Sequence, residues 1–247
     1  LYVEKRQGKY QSITALKRCP ISVADDLRDS LFDKWPTICC SPTLATSSSG
    51  DSQFEYFKGR VGLASADPLE LRVGSPFDYK RHCLLYLPPN GQTFDPSRYY
   101  RDGSIEYFDR LAREIEQLLL ASDGRAFCLF TSNKALGEVY DRIAHRLRWL
   151  VLRQGELPRS EMVRQFRENG RAVLFGLKSF MGGIDIQGEA LSLVIMDKLP
   201  FQPPDDPVYQ ARCEALNREQ RDKWAWFRGL ALPNAVITTK QAFGRLI

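Results

Sequence analysis

The chain has 247 residues, 43% of them apolar and including 14 Phe and 4 Trp, which is material for one large domain or for one domain and part of another. Its 35 basic and 30 acidic residues leave a net charge of +5, compatible with a nucleic-acid partner but too mild to establish one. No export signal and no apolar run of about 18 residues occurs, so neither export nor membrane spanning is indicated. The six Cys lack any C-x-x-C pair. Cys83 and Cys128 lie inside apolar runs, where a buried thiol is the better reading than a metal ligand. A reducing, cytoplasmic setting is expected, with no metal site in this chain. Because it starts at Leu1 and stops at Ile247 within a motif, the chain reads as a fragment.

The first 75 residues show little periodicity. Thr37–Cys40 reads as a strand, Ser41–Asp51 is dense in Ser, Thr and Gly, and Ala64–Asp78 reads as a linker between two lobes. An alternation then begins. Cys83–Leu87 reads as a buried strand closed by a turn at Pro88–Gly91. Ile105, Phe108, Leu111, Ala112, Ile115, Leu118 and Leu119 recur at helical spacing behind Ser104 as N-cap. A strand at Ala126–Phe130, a helix carrying Leu136, Val139, Tyr140, Ile143 and Leu147, and a strand at Trp149–Leu152 follow. A short helix at Ser160–Glu168 turns Met162, Val163 and Phe166 inward, and strands at Ala172–Phe175 and Leu191–Met196 complete five apolar runs. After the Pro-rich turn Pro200–Pro204, one long helix is expected over Asp205–Gly229. The apolar stretch Ala235–Ile237 then leads into a helix opening at Gln241. Near-continuous apolar strands separated by helices are buried on both faces, which predicts a parallel sheet in an α/β fold.

Ligands of parallel sheets bind beyond the carboxyl ends of the strands, so the polar residues there matter most. Thr131 and Ser132 directly follow a strand and precede a helix. They are either a phosphate site or an ordinary N-cap. Ser179–Asp185 follows another strand. Gly182 and Gly183 would let its backbone approach a ligand and Asp185 would orient a cation or water, although the same residues also read as a flexible loop. Gln241 and Arg245 fall four residues apart, on one face of the expected helix, where an arginine can stabilise charge on a transferred phosphoryl group. His82 and His145 make no catalytic pair. No G-x-S-x-G, G-x-x-x-x-G-K-[ST] or G-x-G-x-x-G element occurs, which argues against a serine hydrolase, a self-sufficient nucleotide triphosphate site and a dinucleotide enzyme.

Taken in order, these segments resemble the C-terminal motor half of superfamily 2 DNA helicases of the DinG/XPD-like group. Phe130–Ser132 resembles motif IV, Ser179–Asp185 resembles motif V (usually S-F-x-E-G-x-D), and Gln241–Arg245 resembles motif VI (usually Q-x-x-G-R-x-x-R). Ile195–Pro207 resembles a family stretch ending in L-P-F-x-x-P and is the most specific match. Cys40–Leu44 resembles a degraded motif III (usually T-S-A-T-L), and Phe54–Leu63 the link toward the second lobe. Gly182 replaces the motif V acid, and Cys40 and Pro42 replace Thr and Ala of motif III.

The resemblance implies a three-layer RecA-like domain of the P-loop NTPase type over 76–247, preceded in 1–75 by the tail of a first lobe. It implies an ATP-dependent helicase moving 5′→3′ on single-stranded or forked DNA in a DNA-repair setting. Arg245 would be the arginine finger, with Gln241 as its catalytic companion. Gly183, Asp185 and Gly244 would line the ATP cleft. Thr131, Ser132 and Ser179 would hold the strand, and Ser41 and Thr43 would couple hydrolysis to movement. ATP and Mg²⁺ would be bound mainly by the first lobe, an iron–sulfur cluster would belong only to that lobe, and the fragment alone would be inactive. The competing reading is a non-catalytic nucleic-acid-binding or interaction module derived from such a lobe.

Overall fold

The computed structural model describes residues 2–7, 12–46, 53–88, 105–180, 188–244 and 246. In chain order the elements are strands β1 (Tyr2–Gln7) and β2 (Ser12–Lys17), then helices α1 (Ala24–Leu27), α2 (Glu55–Val61), α3 (Tyr79–His82) and α4 (Ile105–Ala121). Next come β3 (Ala126–Phe130), α5 (Asn133–Ile143), β4 (Val151–Arg153), α6 (Arg159–Asn169), β5 (Val173–Leu177) and β6 (Leu193–Met196). Helices α7 (Pro207–Gln220) and α8 (Leu232–Phe243) complete the series.

They form two compact units, neither contiguous in sequence. One comprises residues 1–71 and 201–237, the other 72–200 and 238–247.

In the first unit β1 and β2 pair antiparallel, Tyr2 opposite Lys17 and Gln7 opposite Ser12. Helix α2 ends on Gly62, whose φ of +88° leaves its backbone so close to the Ala24 carbonyl that a Cβ would lie 2.1 Å from that oxygen. Lys58 binds both Glu55 (2.6 Å) and Glu70 (2.8 Å), a pairing that raises its pKa. Tyr56 donates to Asn234 Oδ1 at 2.6 Å, and Arg212 donates to the Ile21 carbonyl at 2.8 Å.

The second unit holds a four-stranded parallel sheet in the order β4-β5-β3-β6, with Phe130 opposite Leu177 and Leu129 opposite Met196. Strand alternation divides its core in two. Ala126, Cys128 and Phe130 of β3, with Val173 and Phe175 of β5, face the apolar stripes of α4 and α5: Phe108, Leu111, Ile115 and Leu119, and Leu136, Val139 and Ile143. Phe127 and Leu129, with Leu152 and Leu174, face Met162 and Phe166 of α6 and Ala242 of α8. Helices thus cover both faces, so every residue of β3 is buried, and this is the α/β parallel architecture expected of a RecA-like domain.

Several expectations are corrected. Cys83–Leu87 joins no strand; Tyr86 bonds Glu114 of α4 while Leu84 and Leu85 stay 92% and 82% exposed. Thr37–Cys40 is also irregular, with Ile38 exposed, because the run has no neighbouring backbone to pair with among the described residues. The long helix over Asp205–Gly229 is shorter. Helix α7 stops at Gln220, Arg221 turns left-handed (φ +51°), and a π-helical stretch, Phe227–Ala231, leads into α8. Ala235–Ile237 lies inside α8 because Ala235 is buried there, so Gln241 sits in the last turn of a helix rather than opening one. Ile105 points outward, and Val163 is only partly buried. The expected cap Ser104 and most of the Pro88–Gly91 turn lie outside the described residues.

Candidate functional site

The carboxyl edge of the parallel sheet gathers the first residues past β3, β4, β5 and β6. Thr131 follows β3, and Asp197 follows β6 one place beyond the paired couple Leu129 and Met196. Asp197 donates its own N–H to the Leu129 carbonyl (3.2 Å). Its carboxylate accepts from the Thr131 N–H (2.9 Å) and from the Thr131 hydroxyl (3.2 Å). Burial pushes the Asp197 carboxyl above the ordinary aspartate range, opposed by Lys198 and by the Thr131 bonds.

Ser132 is the N-cap of α5, its oxygen accepting from the Ala135 N–H at 3.1 Å. The hydroxyl serves the cap that sequence anticipates, and its own hydrogen is not spent in that bond. Past β4, Gln154 accepts the Leu177 N–H at 2.7 Å and so closes the end of β5. There the chain winds into a 3₁₀ turn, Lys178–Phe180, that buries Phe180 under the Arg159 guanidinium (5.3 Å to the ring centroid). Ser179 stands in this turn at the sheet edge. Its side chain and the whole of Gly183, Asp185 and Arg245 lie outside the described residues.

Helix α8 carries Gln241 half-buried in its last turn. The next residue, Ala242, is fully buried against the sheet face formed by Phe127, Leu129 and Leu174. Phe243 meets Tyr79 with ring centroids 5.6 Å apart, and the Gly244 N–H donates to the Lys240 carbonyl at 2.8 Å, ending the helix. The helix expected to open at Gln241 is instead one that ends at Phe243, and the placement of Arg245 relative to Gln241 lies outside the described residues. Ser41 and Thr43 belong to the other unit. The Ser41 hydroxyl accepts the Thr43 N–H at 3.2 Å in a local turn, with the two hydroxyls 3.2 Å apart.

Among the described residues no group of three His, Cys, Asp or Glu side chains could hold a metal ion. All six cysteines are free thiols, and burial pushes the Cys128 thiol far up. These residues do not fit an iron–sulfur cluster. No described helix is long and apolar enough to cross a membrane. Sequence reasoning missed Asp197 and Gln154. Both are the first residue past a strand of the parallel sheet, the position at which such sheets present ligand-facing groups.

A parallel sheet with polar groups at its carboxyl edge and a docked C-terminal helix is the arrangement of a RecA-like motor lobe. The sequence profile described as "Helicase C-terminal domain" matches residues 115–247, and the chain belongs to this family, as a DinG-like helicase C-terminal region. It is 37% identical over 232 residues to "ATP-dependent DNA helicase YoaA" of Escherichia coli (strain K12), across 92% of this chain and 33% of that protein. It is 32% identical over 252 residues to "ATP-dependent helicase DinG" of Mycobacterium tuberculosis (strain ATCC 25177 / H37Ra), across 100% of this chain and 35% of that protein. To "3'-5' exonuclease DinG" of Bacillus subtilis (strain 168) it is 28% identical over 243 residues, 96% of this chain and 25% of that protein. The chain spans about a third or less of the length of these curated relatives.

Proposed function

We propose that the chain is the second motor lobe of an ATP-dependent DNA helicase, working in the cytoplasm on single-stranded or forked DNA and moving 5′→3′. In this reading ATP and Mg²⁺ are gripped mainly by the other motor lobe. Arg245 reaches the γ-phosphate, Gln241 helps hold the nucleotide or the closed interface, and Gly183, Asp185 and Gly244 line the same cleft. An arginine in that role is worth about 10³ to 10⁵ in rate. Thr131, Ser132 and Ser179 contact strand phosphates without reading sequence. Ser41 and Thr43 couple hydrolysis to movement. A DNA-repair setting belongs to the same reading.

One observation carries it. Ala242 is fully buried against the sheet whose carboxyl edge bears Thr131 and Ser132. A motor needs the group that senses the nucleotide and the groups that hold the strand on one rigid body, so that closing over ATP drags the strand. The segment holding Gln241 and Gly244 has that anchorage. Its relatives named as ATP-dependent helicases support the same reading.

The test is Arg245→Ala in the complete protein. DNA-stimulated ATP turnover should fall at least a hundredfold, with single-strand affinity within about threefold of wild type. Turnover unchanged by the substitution refutes the finger. The rival module reading is favoured by Gly182 standing where the family has an acid. It predicts that the complete wild-type protein hydrolyses no ATP.

A further inference from the structure

The edge described above assigns the hydrogens of its two hydroxyl residues unequally. Thr131 has one N–H and one O–H to give, and both go to a single carboxylate, Asp197. What remains on the Thr131 oxygen is lone pairs, which an anionic phosphate cannot use. Ser132 is arranged the other way. Its oxygen accepts the Ala135 N–H, and its hydrogen is left over to donate. The two residues are adjacent in sequence and alike in chemistry, yet only one is equipped to meet a phosphate.

We propose that Asp197 is a positioning residue for the strand-binding turn: by taking both hydrogens of Thr131 it fixes the turn between β3 and α5 and reserves Ser132, not Thr131, for the phosphate. The proposal rests on the reading of this turn as a strand contact and narrows it to one hydroxyl. Asp197 can play the part because it enters from a neighbouring strand. The β3–β6 pairing sets its backbone, and its N–H is tied to Leu129, so the carboxylate is held at a fixed height above the sheet. Thr131 becomes a strut between two strand ends.

The experiment compares four variants of the complete protein for affinity to a fluorescent oligo-dT strand. Ser132→Asp preserves the helix cap, since Asp caps as well as Ser, but sets a negative charge against the phosphate, and affinity should fall by about thirtyfold or more. Thr131→Val keeps the β-branched shape and the N–H bond to Asp197 but loses the hydroxyl bond, and should cost several-fold, well short of the loss in Ser132→Asp. Asp197→Ala releases the turn and should cost about tenfold, while Asp197→Asn keeps an acceptor for the Thr131 N–H and should restore binding to within about threefold. A role confined to general stability would not produce that split between Ala and Asn at equal folded fraction, checked by circular dichroism. Loss in Thr131→Val equal to that in Ser132→Asp overturns the proposal but leaves the turn as a strand contact. Asp197→Asn as weak as Asp197→Ala also overturns it. Unchanged affinity in Ser132→Asp removes the strand contact itself, and the proposal with it.

Discussion

Trp149 donates its indole N–H to the Asp123 carboxylate across 3.2 Å, tying the turn after α4 to the approach to β4. Arg148 (3.0 Å) and Arg171 (3.3 Å) reach the same carboxylate. The indole bond first, and the two guanidinium groups after it, hold the Asp123 carboxyl below the ordinary aspartate range. The ionised form is thus favoured by folding. Its contribution is complete above the unfolded aspartate pKa and is lost as pH falls through the lower folded value. Asp123→Asn should therefore flatten the acid limb of stability, with urea midpoints falling less steeply below about pH 4 than in wild type. Parallel acid limbs would contradict the assignment.

The residue after Asp123 is more constrained still. Gly124 has φ +74°, and a Cβ there would lie 2.2 Å from the Arg171 carbonyl oxygen and 3.0 Å from Trp149 Cγ. Gly170 has a similar φ of +71° but open space around the same position. Gly170→Ala should cost about 1 kcal/mol for the left-handed backbone alone. Gly124→Ala adds a backbone collision and should cost about 3 kcal/mol, read by chemical denaturation. Equal losses would show that the close approach carries no penalty.

Asp197 behaves in the opposite sense to Asp123. Burial raises its pKa, with Lys198 and Thr131 pulling the other way. Folding therefore disfavours its ionised form, and its contribution to stability declines as pH rises from the unfolded aspartate pKa through the folded value. Asp197→Asn removes that decline while keeping an acceptor for Thr131. The stability gain of the variant over wild type should be larger at pH 8 than at pH 4, measured by urea unfolding at both. A gain larger at the acid end would reverse the argument.

Ala242 offers a test of the anchorage between motif VI and the sheet. With no exposed surface and close packing around it, Ala242→Leu overfills the site and should cost about 1–3 kcal/mol. In the complete protein it should also lower ATP turnover several-fold at temperatures where the protein stays folded. Normal turnover in a destabilised variant would separate the packing from the chemistry.

The second unit was legible where burial leaves a period. Ala126–Phe130, with both faces covered, reads as a continuous apolar run, and α4, α5 and α6 show their stripes because each meets the sheet along one side only. Cys83–Leu87 has the same composition as those strands, but composition does not specify a pairing partner, and Leu84 and Leu85 stay exposed. The break at Arg221 was invisible because nothing in an arginine announces a left-handed backbone. Ala235–Ile237 is helical although two of its three residues are β-branched, since burial of Ala235 outweighs local preference. At the edge, Thr131 and Ser132 were found by position and Ser132 by its capping role. Asp197 was passed over because its importance lies in a hydrogen bond spanning 66 residues of sequence, which no local pattern encodes.

The strand order has a consequence for biosynthesis. β3 is one of the two inner strands, yet both of its neighbours, β5 and β6, are made after it, and none of its ladder partners is local. An apolar segment with all five residues destined for the interior must therefore wait unpaired until β5, ending at Leu177, has left the ribosome, and its second edge stays open until Met196 follows. Pairings of such long sequence separation nucleate slowly. The nascent chain is consequently most exposed to aggregation between the emergence of Phe130 and that of Leu177, when this apolar run has neither of its sheet neighbours.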